Sequence, residues 1–460
     1  MQPTKTNIFL YLVAILVNLL SFSIGVSITW ITSVIPKVDG STITDDNPFG
    51  RLLTASEISW IAGFLPLGAA IGPLAVGKIS DKIGRKKSLL ILGCVNILSL
   101  VITVFAKQTV LFYISRFLAG VVLGSSYSVI PVFMAEISEN HNRGALGCSV
   151  GIFVAIGMNF ALVAGPYLSI SVYSLLCISP LLIFVPGFFI LSPETPWYLA
   201  ARNDEKRLTK SLLKLRNKTV EEIHLEMTSI LEVVVENETA AKAGVRDLCT
   251  NNTLRKSLLI CLVIICLQQC GGIAAVLIYM PKIFEAAKTN LAPEICAIIV
   301  GVFQVFGTIV SSVVVDRLGR RILLLVSSVF TCLTLVTLGL YFRLNLSDVV
   351  WLSWLPLFSL VVYIFTFNVG LGPVPWVVMS ELFPSNFTSI AAALTSSTCF
   401  MNTFIVTVTF PYLSTFLGMA NCFFLFTVVT ICGAIFIYMV LPETKGKSLQ
   451  EIQKLLGSCG

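Results

Sequence analysis

Apolar runs of roughly 20 residues recur from one end of this chain to the other, each long enough to cross about 30 Å of hydrocarbon at 1.5 Å per helical residue. Backbone inside lipid must satisfy its own N–H and C=O groups, so a chain made of such runs is expected to fold as a bundle of spanning helices. Counting by length and punctuation gives twelve runs, centred near residues 20, 66, 97, 121, 157, 181, 268, 303, 332, 365, 401 and 429. The first, Ile8 to Trp30, is too long for a secretory signal and no small-residue cleavage site follows it, so it counts as a span. With 56% hydrophobic and only 12% charged residues, nothing is left over for a separate soluble domain.

Basic residues cluster in the breaks after the even-numbered spans: Lys78, Lys82, Arg85, Lys86 and Lys87 in one, Arg317, Arg320 and Arg321 in another. The positive-inside rule makes these loops cytoplasmic and puts both termini in the cytoplasm. No retention signal is evident, so the cell membrane is the expected location. A net charge of +7 spread in this way forms no nucleic-acid surface. The 13 cysteines lie mostly within apolar runs (Cys94, Cys261, Cys266, Cys332, Cys432) without metal-ligand spacing and are read as small packing residues. His141 and His224 are far apart in polar segments, so neither a metal nor a cofactor is expected. No nucleophile or acid–base pair falls at membrane depth, which argues against an enzyme. Glycines from Gly68 to Gly77 lack a phosphate-loop ending and are read as close-packing positions.

One polar stretch, Ser192 to Asn252, interrupts the series. Its apolar spacing (Leu208, Leu212, Leu215; Ile223, Met227, Ile230) predicts short amphipathic helices on the cytoplasmic face. Asn345-Leu-Ser347 is the glycosylation sequon this topology places outside, whereas Asn217, Asn237, Asn251 and Asn386 face the cytosol.

The punctuation occurs twice. Ile79 to Lys87 (ISDKIGRKK) returns as Val314 to Ile322 (VVDRLGRRI), Met134 to Ile137 (MAEI) as Met379 to Leu382 (MSEL), and Ser192 to Thr195 (SPET) as Leu441 to Thr444 (LPET). Three matches in one order imply two homologous six-helix bundles. The predicted fold is thus an all-α membrane protein of twelve transmembrane helices: bundle 1–191, helical linker 192–254, bundle 255–441 and tail 442–460. Two bundles related by an axis along the membrane normal, with a ligand held between them at the midplane, describe a carrier rather than a pore. Asp81 with Arg85, Glu136 with Arg143, Asp316 with Arg320, and Glu194, Glu381 and Glu443 are expected to form charged networks tying the halves together at the cytoplasmic face. The alternative is that they set topology and cap helices.

These motifs resemble the sugar porter branch of the major facilitator superfamily over essentially the whole chain. The resemblance is carried by Gly77 to Lys86, Arg116 to Gly120, Pro131 to Gly144, Pro193 to Trp197, Gln268-Gln269, Asp316 to Arg321, Gly372 to Trp376 and Pro442 to Gly446. The first span (Ser-Phe-Ser-Ile-Gly-Val, then Trp30 and Pro36-Lys37) looks most like the facilitated trehalose transporters and related sugar carriers of insects. What the resemblance implies is a small neutral sugar as ligand, the bilayer as setting and no required protein partner. It implies substrate-binding roles for Gln268, Gln269, Gln304, Asn368 and Trp376. Amides suit hydroxyls that both donate and accept, and an indole suits a sugar's C–H face. The alternative for the glutamines is bonding between helices.

The chain departs from the family at several of its sugar contacts. Gly151, Ala274, Cys399 and Phe400 stand where sugar porters carry amides or an asparagine–tryptophan pair, and Asn368 where they carry glutamate, which predicts a wider, less polar cavity. Ser23 occupies the place of the aspartate of proton-driven members, and no Asp or Glu lies from Ile8 to Val38, so Arg116 is expected to lack an acidic partner. The expectation is facilitative uniport of trehalose or a hexose. A proton symporter is the alternative, and a non-transporting sensor a more distant one, given the short tail. Gly370, Gly372, Pro373 and Pro375 interrupt span ten, as a hinge or as a fixed kink.

Overall fold

The computed structural model describes residues 7–39, 47–139, 141–239, 250–346, 349–447, 451–452 and 454–455. Among these residues the structure is helical and holds no strand. The first half comprises α1 (Ile8–Val38), α2 (Ala55–Ile83), α3 (Arg85–Phe105), α4 (Thr109–Ile137), α5 (Arg143–Ala164) and α6 (Ile170–Leu191). Three short helices follow: α7 (Pro196–Ala201), α8 (Glu205–Arg216) and α9 (Val220–Thr239). The second half comprises α10 (Asn252–Gln268), α11 (Ala274–Ala286), α12 (Pro293–Leu318), α13 (Arg320–Arg343), α14 (Leu355–Val369), α15 (Val374–Leu382), α16 (Ser385–Leu417) and α17 (Met419–Val440). With α10/α11 and α14/α15 each forming one interrupted span, twelve segments are long and apolar enough to cross a membrane.

Polar side chains start these helices where the first N–H groups lack partners. Thr54 and Glu57 form a reciprocal capping box at α2, Asn251 accepts from Thr253 N at 3.0 Å at α10, and Asn7 accepts from Phe9 N at 3.1 Å at α1. Within the first half, glycines let α2 and α4 approach backbone to backbone. A Cβ on Gly120 would lie 2.0 Å from the Leu65 carbonyl, and one on Gly68 2.2 Å from that of Phe117.

The halves meet chiefly along α1 with α11, α2 with α16 and α5 with α12, with α4 also touching α16. The amphipathic reading of the linker is matched in detail. Leu208, Leu212, Ile223 and Ile230 bury themselves with Leu199 and Ala200 in a satellite core, Met227 packs against it, and Leu215 joins the main core. Arg216 anchors this layer to the first half, donating to the carbonyls of Ile137 at 2.7 Å and Ser138 at 3.2 Å while pairing with Glu226 at 2.8 Å. Asn7 Nδ2 bonds the Lys214 carbonyl at 3.3 Å, and Glu443 meets the start of α13. Both ends of the described chain therefore lie at the face that carries the basic loops. Asn345 is exposed at the opposite face; Ser347 of its sequon lies outside the described residues.

Candidate functional site

A cavity of about 550 Å³ lies between the halves, within the range of roughly 300–1,000 Å³ usual for small-molecule sites. All five expected contacts, Gln268, Gln269, Gln304, Asn368 and Trp376, line it, and all five come from the second half. The first half adds mainly apolar wall, with Tyr127 and Cys148 as its polar groups. The lining descends to Cys148 of α5, Ser312 of α12 and Val377 of α15, close to the basic ends of those helices. At the opposite end the halves are joined: Thr32 Oγ1 donates to the Leu277 carbonyl at 2.9 Å, and Lys282 pairs with Asp39. The cavity is thus approached from the basic face and closed on the other.

Each amide has a distinct local role. Gln268, 4% exposed, donates through Nε2 to the carbonyls of Leu371 at 2.6 Å and Gly372 at 2.8 Å, while its Oε1 is buried without a partner. Leu371 and Gly372 lie in the break between α14 and α15, where interruption frees backbone carbonyls that need donors at membrane depth. A matching break follows Gln268, a π-turn over Gln269–Ile273 in which Gly272 adopts φ 93°. A Cβ there would lie 2.5 Å from the Phe426 ring, so both the dihedral and the packing demand glycine. Tyr363 of α14 reciprocates by donating to the Gly271 carbonyl at 3.1 Å. The two interruptions are laced to each other, and Gln268 serves as a brace with one acceptor oxygen left over.

Gln269 Nε2 bonds Cys399 Sγ at 3.1 Å, Gln304 Nε2 bonds Met158 Sδ at 3.2 Å, and Asn368 Nδ2 bonds the Ile364 carbonyl at 2.8 Å. Sulfur is a weak acceptor, so the first two amides give up little by turning to a hydroxyl. Gly151, Ala274, Cys399 and Phe400 all line the same space. A Cβ on Gly151 would touch only Thr308 Cγ2, at 3.6 Å, so a larger side chain has room there.

The family described as sugar (and other) transporter matches residues 12–456 of the chain. The chain belongs to the sugar transporter family. Among its relatives, the facilitated trehalose transporter Tret1 of Polypedilum vanderplanki is 33% identical over 464 residues, covering 99% of this chain and 90% of the relative. Tret1 of Bombyx mori is 34% identical over 466 residues, covering 99% and 89%. The inward-open xylose transporter XylE from E. coli has the same fold, with a TM-score of 0.78 at 21% identity over 97% of this chain and 99% of that one. This member of the sugar transporter family is therefore a multi-pass membrane protein.

The charged motifs of this family member pair within each half, in twin arrangements. Arg85 reaches Asp81 at 2.9 Å and Glu136 at 3.3 Å; Arg320 reaches Glu381 at 2.8 Å. Gly84 and Gly319, at φ 98° and 89°, open α3 and α13 without a side-chain cap of their own. The missing acceptors arrive from the third motif of each half. Glu194 accepts from Lys86 N at 3.0 Å, and Glu443 accepts from Arg320 N at 2.9 Å and Arg321 N at 3.1 Å. Negative charge at a helix N-terminus is favourable there. Burial pushes the Glu194 carboxyl above its usual range despite these bonds. For Glu443, burial also acts upward, but N–H groups of Lys445, Arg320 and Arg321 outweigh it and hold the carboxyl lower.

The expectation that these networks tie the halves together is corrected by this geometry. The halves are parted at the basic end by the cavity mouth, so each motif braces its own bundle. Glu136 pairs with Arg85 rather than with Arg143, which is exposed, and the Asp316 side chain lies outside the described residues. Among the described residues, the ion pair joining the halves is Asp39–Lys282, at the other face.

Sequence reasoning passed over Tyr127, Thr308 and Thr403, all of which line the cavity. Tyr127 carried a signal, since it sits in the polar run Gly124-Ser-Ser-Tyr-Ser128 inside an apolar span. Cys399, expected only to make the cavity wider and less polar, accepts the Gln269 amide.

Proposed function

We propose that this protein is a carrier, not an enzyme, that moves a small neutral sugar, trehalose or a hexose, down its gradient by alternating access. One observation carries the reading: a cavity between two duplicated bundles, lined by neutral amides, hydroxyls and an indole, and shut at one end by contacts between the halves. Such a lining suits uncharged polyols, and its depth suits a solute held at the membrane midplane. The names of the relatives point the same way. Gln269, Gln304, Asn368 and Trp376 would contact the sugar, with Gln268 Oε1 as a further acceptor.

Uniport is favoured by α1, where Ser23 takes a bond from Asn96 Nδ2 at 3.0 Å, and among the described residues no carboxylate pairs with Arg116. In this reading the basic face is cytoplasmic, both termini lie inside, Asn345 is open to glycosylation, and the membrane is that of the cell surface. The basic-face motifs serve as the gate by keeping each bundle rigid. Counterflow of labelled trehalose, glucose and fructose in proteoliposomes tests the class of substrate. Failure of all three to exchange would overturn the reading, and uptake that collapses with a protonophore at constant sugar gradient would replace uniport by symport.

A further inference from the structure

Arg116 lies two turns into α4 and is 4% exposed. Its Nη1 donates to the Ser27 carbonyl of α1 at 2.9 Å. The guanidinium carbon sits 5.4 Å from the ring centre of Trp30, itself buried and stacked on Tyr173 at 6.3 Å. The other two nitrogens, Nε and Nη2, are buried with no protein acceptor, as is Trp30 Nε1. Nε and Nη2 share one edge of the planar guanidinium, the edge whose two parallel N–H groups take an anion in bidentate fashion.

Among the described residues no carboxylate pairs with Arg116, and α1 holds no acidic residue to supply one. Ser23, one turn from Ser27, is engaged by Asn96. Arginine does not shed its proton in a protein, so the charge stays. Water can satisfy N–H groups, but it leaves a full charge uncompensated in a low-dielectric bundle, a costly arrangement when no counter-charge is near.

We propose that the Nε/Nη2 edge of Arg116 binds a small monovalent anion of chloride size inside the first bundle, apart from the sugar cavity. Held there, the anion supplies the negative charge that a side chain on α1 would otherwise provide, and it fixes the packing of α1 on α4. Both helices also furnish the cavity wall, through Ile28 and through Leu123 and Tyr127. The carrier therefore responds to chloride without transporting it.

The test compares chloride with gluconate at equal ionic strength, about 0.1 M, on both faces. Thermal unfolding of the purified protein is expected to shift up by about 2 °C or more in chloride. Sugar counterflow is expected to rise severalfold, independent of any chloride gradient. Arg116→Gln should abolish both responses, and Arg116→Lys, which keeps the charge but lacks the fork, should weaken them. Ser23→Asp, which places a carboxylate on α1, should keep the fold stable and remove the need for chloride. Equal unfolding midpoints for the unmodified protein in chloride and gluconate overturn the proposal, as does an undiminished chloride response in Arg116→Gln. Should Arg116→Gln fail to fold, the comparison of the unmodified protein with Ser23→Asp decides, and equal chloride responses in those two count against the site. The unfolding measurement does not depend on sugar movement, so its outcome stands apart from the carrier reading.

Discussion

Replacing Asp39 by Asn removes the ion pair with Lys282 that fastens α1 of one half to α11 of the other. Opening the cavity to the face opposite the basic loops has to part these two residues, so the pair biases the carrier toward the state described above. The side chains retain 30% and 34% exposure, so solvent screens the attraction and its worth is about 0.5–1 kcal/mol. Removing it should raise the ratio of outward- to inward-facing protein by about two- to fivefold. Ile28 lines the cavity from α1, and a cysteine placed there, with the cavity thiols Cys148 and Cys399 replaced, reports opening. Its labelling by an impermeant maleimide applied at the opposite face should accelerate by that factor in Asp39→Asn and in Lys282→Gln. The double variant should accelerate no more than either alone, and the exchanged pair Asp39→Lys with Lys282→Asp should restore the original rate. High salt should shrink the difference by screening. Full additivity of the two single variants, or an unchanged rate in both, would refute the reasoning.

Further outcomes follow from the packing. Gln268→Ala strands the Leu371 and Gly372 carbonyls and should cost about 2–4 kcal/mol, read as a lowered unfolding midpoint. Gln269→Ala, which loses only a bond to sulfur, should leave that midpoint nearly unchanged and raise the KM for sugar. Gly151→Gln adds an amide where there is room, so it should lower the KM for hexoses and slow disaccharide exchange in parallel counterflow assays. Gly120→Val drives a side chain into the Leu65 carbonyl and should destabilise by about 1–3 kcal/mol or prevent folding, seen as loss of a monodisperse peak on gel filtration. The two capping carboxylates titrate with opposite signs. Glu443, held low, stabilises the fold above about pH 4.5 and loses that contribution as the pH falls through its bound value. Glu194, held high, stabilises in its protonated form and loses that contribution as the pH rises through its raised value. Unfolding midpoints followed from pH 4 to 8 should therefore fall less on the acid side for Glu443→Gln, and less on the alkaline side for Glu194→Gln, than for the unmodified protein.

The spans and the duplication were legible because both are written in local sequence: apolar length sets the first, and short charged motifs at helix ends set the second. The cavity residues were legible through the family resemblance, with which the chemistry of amides and an indole at membrane depth agrees. The break within span seven was not, although Gly271 and Gly272 marked it, because the apolar run continues across it and the Phe426 ring that excludes a side chain at Gly272 lies on another helix. The break in span ten, announced by two prolines, was. Which charges meet was also hidden. Arg85 takes both Asp81 and Glu136 as partners, whereas the motifs alone pair Glu136 with Arg143. Asp39 and Lys282 belong to no motif, lie 243 residues apart and become a pair only through tertiary packing.

Gln268 and Tyr363 bind the interruptions of two spans to one another, with consequences for how the second half can deform. A broken helix standing alone would flex at its gap. Here each gap borrows its partner's donor, so neither can straighten or bend without unpicking both. Beyond the π-turn, the thirteen residues of α11 carry Leu277 near their start and Lys282 farther along, the two points at which this helix bonds to α1. A solute that touches Ala274 and Leu277 therefore lies against the same helix that closes the opposite face.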